Sequence, residues 1–91
     1  MADKNDVVSL VTLSGEFVGK FVSETTNEIV LADPHLVTPN GEQMGFMPVV
    51  CMTGETNLPE VTFFKTSTLC MVPTAEPVQK EYRRSTSGLI L

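Results

Sequence analysis

The chain has 91 residues, 42% hydrophobic and 19% charged, with a formal net charge of −5. That length suits one domain near the low end of what buries an adequate core alone, and the composition excludes a disordered chain. The acidic balance excludes a general nucleic-acid coat, which draws its affinity from Lys and Arg. A surface this short of charge predicts that some apolar area meets a partner, further copies of the chain included.

Met1 to Asp6 has neither the basic start nor the apolar run of a signal peptide, and no window is long enough for a transmembrane helix, so a soluble, cytoplasmic protein is expected. Val7 to Leu13 reads as a first strand. Val7, Val11 and Leu13 share one face and Val8 and Leu10 the other, which predicts a strand covered on both sides. Ser14-Gly15 is a tight hairpin signal. Glu16 to Ser23 follows as a second strand, with Phe17 and Phe21 on the face of Gly19, where a missing side chain permits a sharp bend.

Glu24 to Asn27 is a polar turn and Glu28 to Ala32 a third strand with an Ile29-Val30-Leu31 centre. Asp33-Pro34 interrupts it, because Pro has no amide hydrogen for a ladder bond, and Leu36 to Thr38 resumes the extended run. His35, the sole histidine, reads as a turn or surface side chain rather than a catalytic one. Glu24, Glu28 and Asp33 form an acidic group near the same turns, with no spacing that specifies a calcium or magnesium loop. Pro39-Asn40-Gly41 is the next turn. Gln43 to Met52 is apolar and extended, made irregular by Gly45 and Pro48, and 53 to 60 is a loop by composition.

Val61 to Phe64 and Thr68 to Val72 are two further strands joined by the short link Lys65-Thr66-Ser67. Cys51 and Cys70 lack the spacing of a metal knuckle or redox motif, so buried, reduced thiols are expected rather than a disulfide. No cofactor or metal site, and no catalytic constellation, emerges from the pattern. Before residue 75 the basic residues are Lys4, Lys20 and Lys65 against nine acids, so any anion site on the body is local. From Pro73 onward the composition shifts to Pro, Thr, Ser and charge. The division expected is a β-domain over 1–74 and a C-terminal tail over 75–91. Within the tail, Pro77 to Arg84 has scope for a turn or two of helix, and Leu89-Ile90-Leu91 is either loose or clipped onto a neighbouring subunit. Short strands at regular spacing in so small a chain predict an all-β fold, either a β-barrel or a strongly bent sheet.

Five strands in this order resemble the Sm and Sm-like (LSm) family, closest to its bacterial Hfq type. Leu13, Gly15, Gly19, Phe21, Ile29 and Leu31 match the first Sm motif. Phe64-Lys65, the apolar strand to Val72-Pro73, and Pro77-Val78 match the end of the Hfq barrel. The resemblance implies a small five-stranded, strongly bent antiparallel barrel of the SH3-like class, and a ring in which the edge strand 61–64 of one subunit pairs with 68–72 of the next. It also implies a single-stranded RNA pocket where Thr26 and Asn27 meet Lys65 and Thr66, without catalysis. The chain departs from the pattern at that pocket: Asn27 stands where the family places a stacking aromatic, and Thr66 follows the Lys where His or Arg-Gly is usual. A stacked base is worth ~1–3 kcal/mol, so the loss is sizeable. About twenty extra residues, roughly Leu36 to Glu60, separate the third strand from Val61, either as a long interrupted fourth strand starting at Met44 or as a separate hairpin. The second functional reading is a ring that keeps the assembly, has lost the RNA site and serves as a scaffold for protein partners.

Overall fold

A computed structural model describes residues 2–40, 43–48, 50, 53–56 and 58–86. The chain is mostly β: a six-stranded antiparallel sheet and one C-terminal helix. The strands are β1 (Val7–Thr12), β2 (Gly15–Glu24), β3 (Glu28–Asn40), β4 (Gln43–Met47), β5 (Glu60–Phe64) and β6 (Thr68–Pro73). A 3₁₀ turn, Lys65–Ser67, links β5 to β6, and helix α1 spans Glu76–Thr86. The pairing order is β4-β3-β2-β1-β6, with β5 pairing β3 as well. The long β3 has β2 along one edge, and on its other edge β5 pairs residues 28–32 while β4 pairs residues 36–40.

Gly15 opens β2 with φ +154°, a conformation that costs glycine little, and Thr12 closes the hairpin through Oγ1 donating to the Gly15 carbonyl at 2.8 Å. Gly19 lies at an irregularity in the pairing of β2 with β3. Val18 faces His35 and Lys20 faces Ala32, so Gly19 alone opposes both Asp33 and Pro34. This two-against-one mismatch is a β-bulge. It answers the Asp33-Pro34 question: β3 is not broken there, because the bulge takes up the proline that could not donate a ladder bond, and Asp33 adopts φ +53°, a region Asp tolerates better than most residues. A Cβ on Gly19 would stand 3.2 Å from both the Ala32 carbonyl oxygen and Leu31 Cβ. A side chain there would need β3 to give way by a few tenths of an ångström.

Both faces of the sheet are covered, as the apolar pattern of β1 predicts. On one face Val8, Leu10, Phe21, Ile29 and Leu31 form the main core, with Phe63 and Met71 against it. Phe17 packs on Phe63 with ring centroids 5.1 Å apart. On the other face Val7 and Val18 pack with Tyr82 of α1, flanked by Val37 and Phe46.

The helix is longer and better seated than the sequence reading allowed. Pro77 sits in the first turn, where a missing N–H costs nothing, and Glu76 there and Arg83 and Arg84 in the last turn suit the helix dipole. Gln79 donates through Nε2 to the Thr74 carbonyl at 2.8 Å, and the Ser9 and Thr74 hydroxyls bond each other at 2.8 Å in the interior, tying β1 to the start of the helix. Val78 and Tyr82 lie one turn apart on the sheet-facing side, Val78 half-buried and Tyr82 fully buried.

Of the two arrangements open for the long insertion, the described part is a β3–β4 hairpin, with β5 a separate strand from Glu60. The turn expected at 39–41 and the extended run to Met52 fall partly on residues outside the described ones. Two burial expectations are corrected. Cys70 is exposed, because it lies on the solvent side of the terminal strand β6, and Cys51 lies outside the described residues. His35 is buried rather than at the surface, since the bulge turns it under α1. Leu89-Ile90-Leu91 also lies outside the described residues.

Candidate nucleic-acid interface at two facing turns

The four residues singled out in the sequence come from two turns that are far apart in the chain and joined in space. In the β2–β3 turn, Thr25 Oγ1 accepts from the Asn27 and Glu28 amides at 3.4 and 3.1 Å, and the Thr25 amide donates to the Glu28 carbonyl at 2.8 Å. Thr26 and Asn27 are exposed at its tip. The 3₁₀ turn is held by the Ser67 and Thr68 hydroxyls, which donate to the Phe64 carbonyl at 3.3 and 3.1 Å. The Lys65 amide donates to the Asn27 carbonyl at 2.9 Å, locking one turn to the other. Thr66 is exposed on the turn that carries Lys65. The Ser67 carbonyl accepts from the Leu13 amide at 2.9 Å, so the β1–β2 hairpin braces the same turn.

The electrostatics differ from what the residue types suggested. Lys65 Nζ donates to Glu24 Oε2 at 2.7 Å. Both side chains are about a third or more exposed, so the pair adds at most ~1 kcal/mol to stability, yet it neutralises the cation of the site. Glu28 stands across the ladder from Phe64, leaving the neighbourhood acidic. A phosphate approaching Lys65 must displace Glu24. No local sequence signal could have paired residues 41 positions apart. The acidic trio of Glu24, Glu28 and Asp33 is divided by this pairing, and among the described residues no group of three His, Cys, Asp or Glu side chains is placed to hold a metal.

Apolar side chains surround the turns. Phe64 is 57% exposed immediately before Lys65, Leu69 65% exposed just after the 3₁₀ turn, and Leu13, bonded to that turn, is exposed as well. The alternation of β5 explains the first: Phe63 points into the core, so Phe64 points out. Beyond β5 on one side and β6 on the other, no further ladder partner exists among the described residues.

A second cluster, which sequence reading missed, lies under the helix. Tyr82 Oη donates to the Asp33 carbonyl at 2.6 Å, and His35 Nδ1 donates to the same oxygen at 3.0 Å. The two rings meet edge to face at 5.6 Å, and Phe46 adds a third ring 6.1 Å from Tyr82. Burial holds the Tyr82 phenol well above its ordinary pKa, the nearby Asp33 carboxylate adds to that, and Arg83 offsets part of it. The left-handed turn at Asp33 thus aims one carbonyl at two donors, and His35 serves helix docking. The detectable signal was the i, i+4 pair Val78 and Tyr82, within a stretch read as a turn or two of helix at most. No protein-family model and no curated protein sequence matches the chain.

Proposed function

We propose that this chain is an Sm-like subunit that joins copies of itself edge to edge, β5 of one to β6 of the next, into a closed ring. On this reading the paired turns of each subunit offer a contact for single-stranded RNA, without catalysis. The observation that carries the proposal is the β5–3₁₀–β6 passage. β5 and β6 are consecutive, yet they lie on opposite sides of the β3-β2-β1 path. In a flat sheet four strand spacings would separate them by about 19 Å. A three-residue link spans at most about 15 Å even fully extended, so the sheet has to bend to bring them together. That constraint supports reading the sheet as a small, strongly bent barrel of five principal strands, with β4 as an added hairpin arm. Its free strand edges and the exposed Phe64, Leu69 and Val72 are what a neighbour would cover.

For RNA the support is the lock between the Lys65 amide and the Asn27 carbonyl, which joins the exposed Thr26, Asn27 and Thr66 to the half-buried Lys65. Polar edges of this kind read unstacked bases. Fluorescence polarisation with oligo-U and oligo-A at low salt tests it. Binding that weakens on Lys65→Ala supports the RNA reading, and no binding at micromolar ring concentration sinks it.

A second reading, a ring serving as a scaffold for protein partners, is favoured by the Lys65–Glu24 pair and the net charge of −5. An intact ring that ignores both oligonucleotides moves the conclusion to this alternative.

A further inference from the structure

A groove of about 410 Å³ lies where β6 hands over to α1, with Val8, Met71 and Pro73 among its apolar lining and Val72, Gln79 and Arg83 beside them. Arg83 is exposed and makes no ion pair with any described residue. On the other edge of the sheet, β5 is preceded by Leu58 and Pro59. The Pro59 carbonyl accepts from the Asp33 amide at 3.1 Å, which pins that approach against β3. Glu60 and Pro59 are exposed and Leu58 is half-buried; among the described residues Glu60 too has no ion-pair partner.

We infer that this groove receives the Leu58-Pro59-Glu60 segment of a neighbouring copy, and that Arg83 pairs with Glu60 of that copy. The inference rests on the edge-joined ring proposed above and names how its register is set. Every pairing within the sheet is antiparallel. An antiparallel join of β5 to β6 sets the Phe64 end against Thr68 and the Glu60 end against Val72 and Pro73, since the strands have five and six residues. Glu60 then arrives at the end of the groove that holds Arg83, while Leu58 and Pro59 cover apolar lining. Asp6 also lines the groove. Its carboxylate repels a Glu60 that enters out of register, so the same groove rewards one alignment and penalises others.

The test is charge reversal in the full chain: Arg83→Glu, Glu60→Lys, and both together, with light scattering across a dilution series and circular dichroism to check folding. Each single reversal raises the concentration for half-assembly by about tenfold or more, and the double variant returns to within about threefold of the native chain, as expected of a direct charge pair. Should Arg83→Glu unfold, Arg83→Ala with Glu60→Ala gives the same comparison through non-additivity. A native ring indifferent to the single reversals, or a double variant no better than the singles, overturns the pairing alone. A native chain that stays monomeric throughout overturns the edge-joined ring and the pairing with it.

Discussion

Replacing Tyr82 separates the two ways in which α1 is held. The side chain is fully buried, against Val7 and Val18, with Phe46 and His35 in edge contact. Truncating a buried aromatic to Ala costs ~3–5 kcal/mol through lost transfer energy and the cavity left behind. A domain this small has a total stability of ~5–15 kcal/mol, so Tyr82→Ala removes a large part of it. Tyr82→Phe keeps the ring and deletes only the hydroxyl bonded to the Asp33 carbonyl, which retains His35 as a donor. The expected loss is ~0.5–1.5 kcal/mol, the usual net worth of one hydrogen bond. Urea denaturation followed by circular dichroism gives both values. In thermal melts the Phe variant shifts Tm by about 4–8 °C for each kcal/mol lost. A Tyr82→Ala variant that loses less than ~1 kcal/mol would refute the reasoning, since no buried aromatic anchor behaves so. Equal losses for Ala and Phe would assign the docking to the hydroxyl bond instead of the packing.

Three further outcomes are expected. Gly19→Ala forces a Cβ to within 3.2 Å of the Ala32 carbonyl oxygen and of Leu31, and a loss of ~1–3 kcal/mol in the same urea assay is the overpacking range. Glu24→Gln frees Lys65 from its partner: stability changes by under ~1 kcal/mol, while oligonucleotide binding tightens and its salt dependence steepens; unchanged binding counts against Lys65 as an RNA contact. Because the native phenol pKa is raised, Tyr82 docking is fully present below the unfolded value near pH ~10 and is lost as pH climbs through the higher native value. Tyr82 is the sole tyrosine, so near-ultraviolet phenolate absorbance reads it directly. The native chain stays un-ionised where the urea-unfolded chain titrates.

The strands were legible because their signals are local. Ser14-Gly15, Gly19 and the period-two alternation of β1 and β2 each act within a few residues, and the structure places the elements accordingly. The bulge at Asp33-Pro34 was not legible, since it depends on Gly19 lying opposite, a fact of register and not of either segment alone. The helix was underrated for a related reason. Its apolar stripe is only Val78 and Tyr82, and it becomes decisive through a pocket built by Val7, Val18, Val37 and Phe46 from four different strands. At the candidate site, the grouping of Thr26 and Asn27 with Lys65 and Thr66 came from the Sm-like resemblance, and the structure joins the two turns through the Lys65 amide and the Asn27 carbonyl. The Glu24 that neutralises Lys65 is a long-range partner that spacing does not reveal.

Edge-to-edge assembly is the claim on which both functional readings stand. Light scattering on a sizing column, run on the native chain and on Leu69→Glu, measures it most directly. The native chain is expected at one fixed multiple of the protomer mass, and Leu69→Glu, which puts a charge at an exposed position of β6, is expected to be a folded monomer. A native chain that elutes as a folded monomer, or a Leu69→Glu variant that assembles as before, would contradict it.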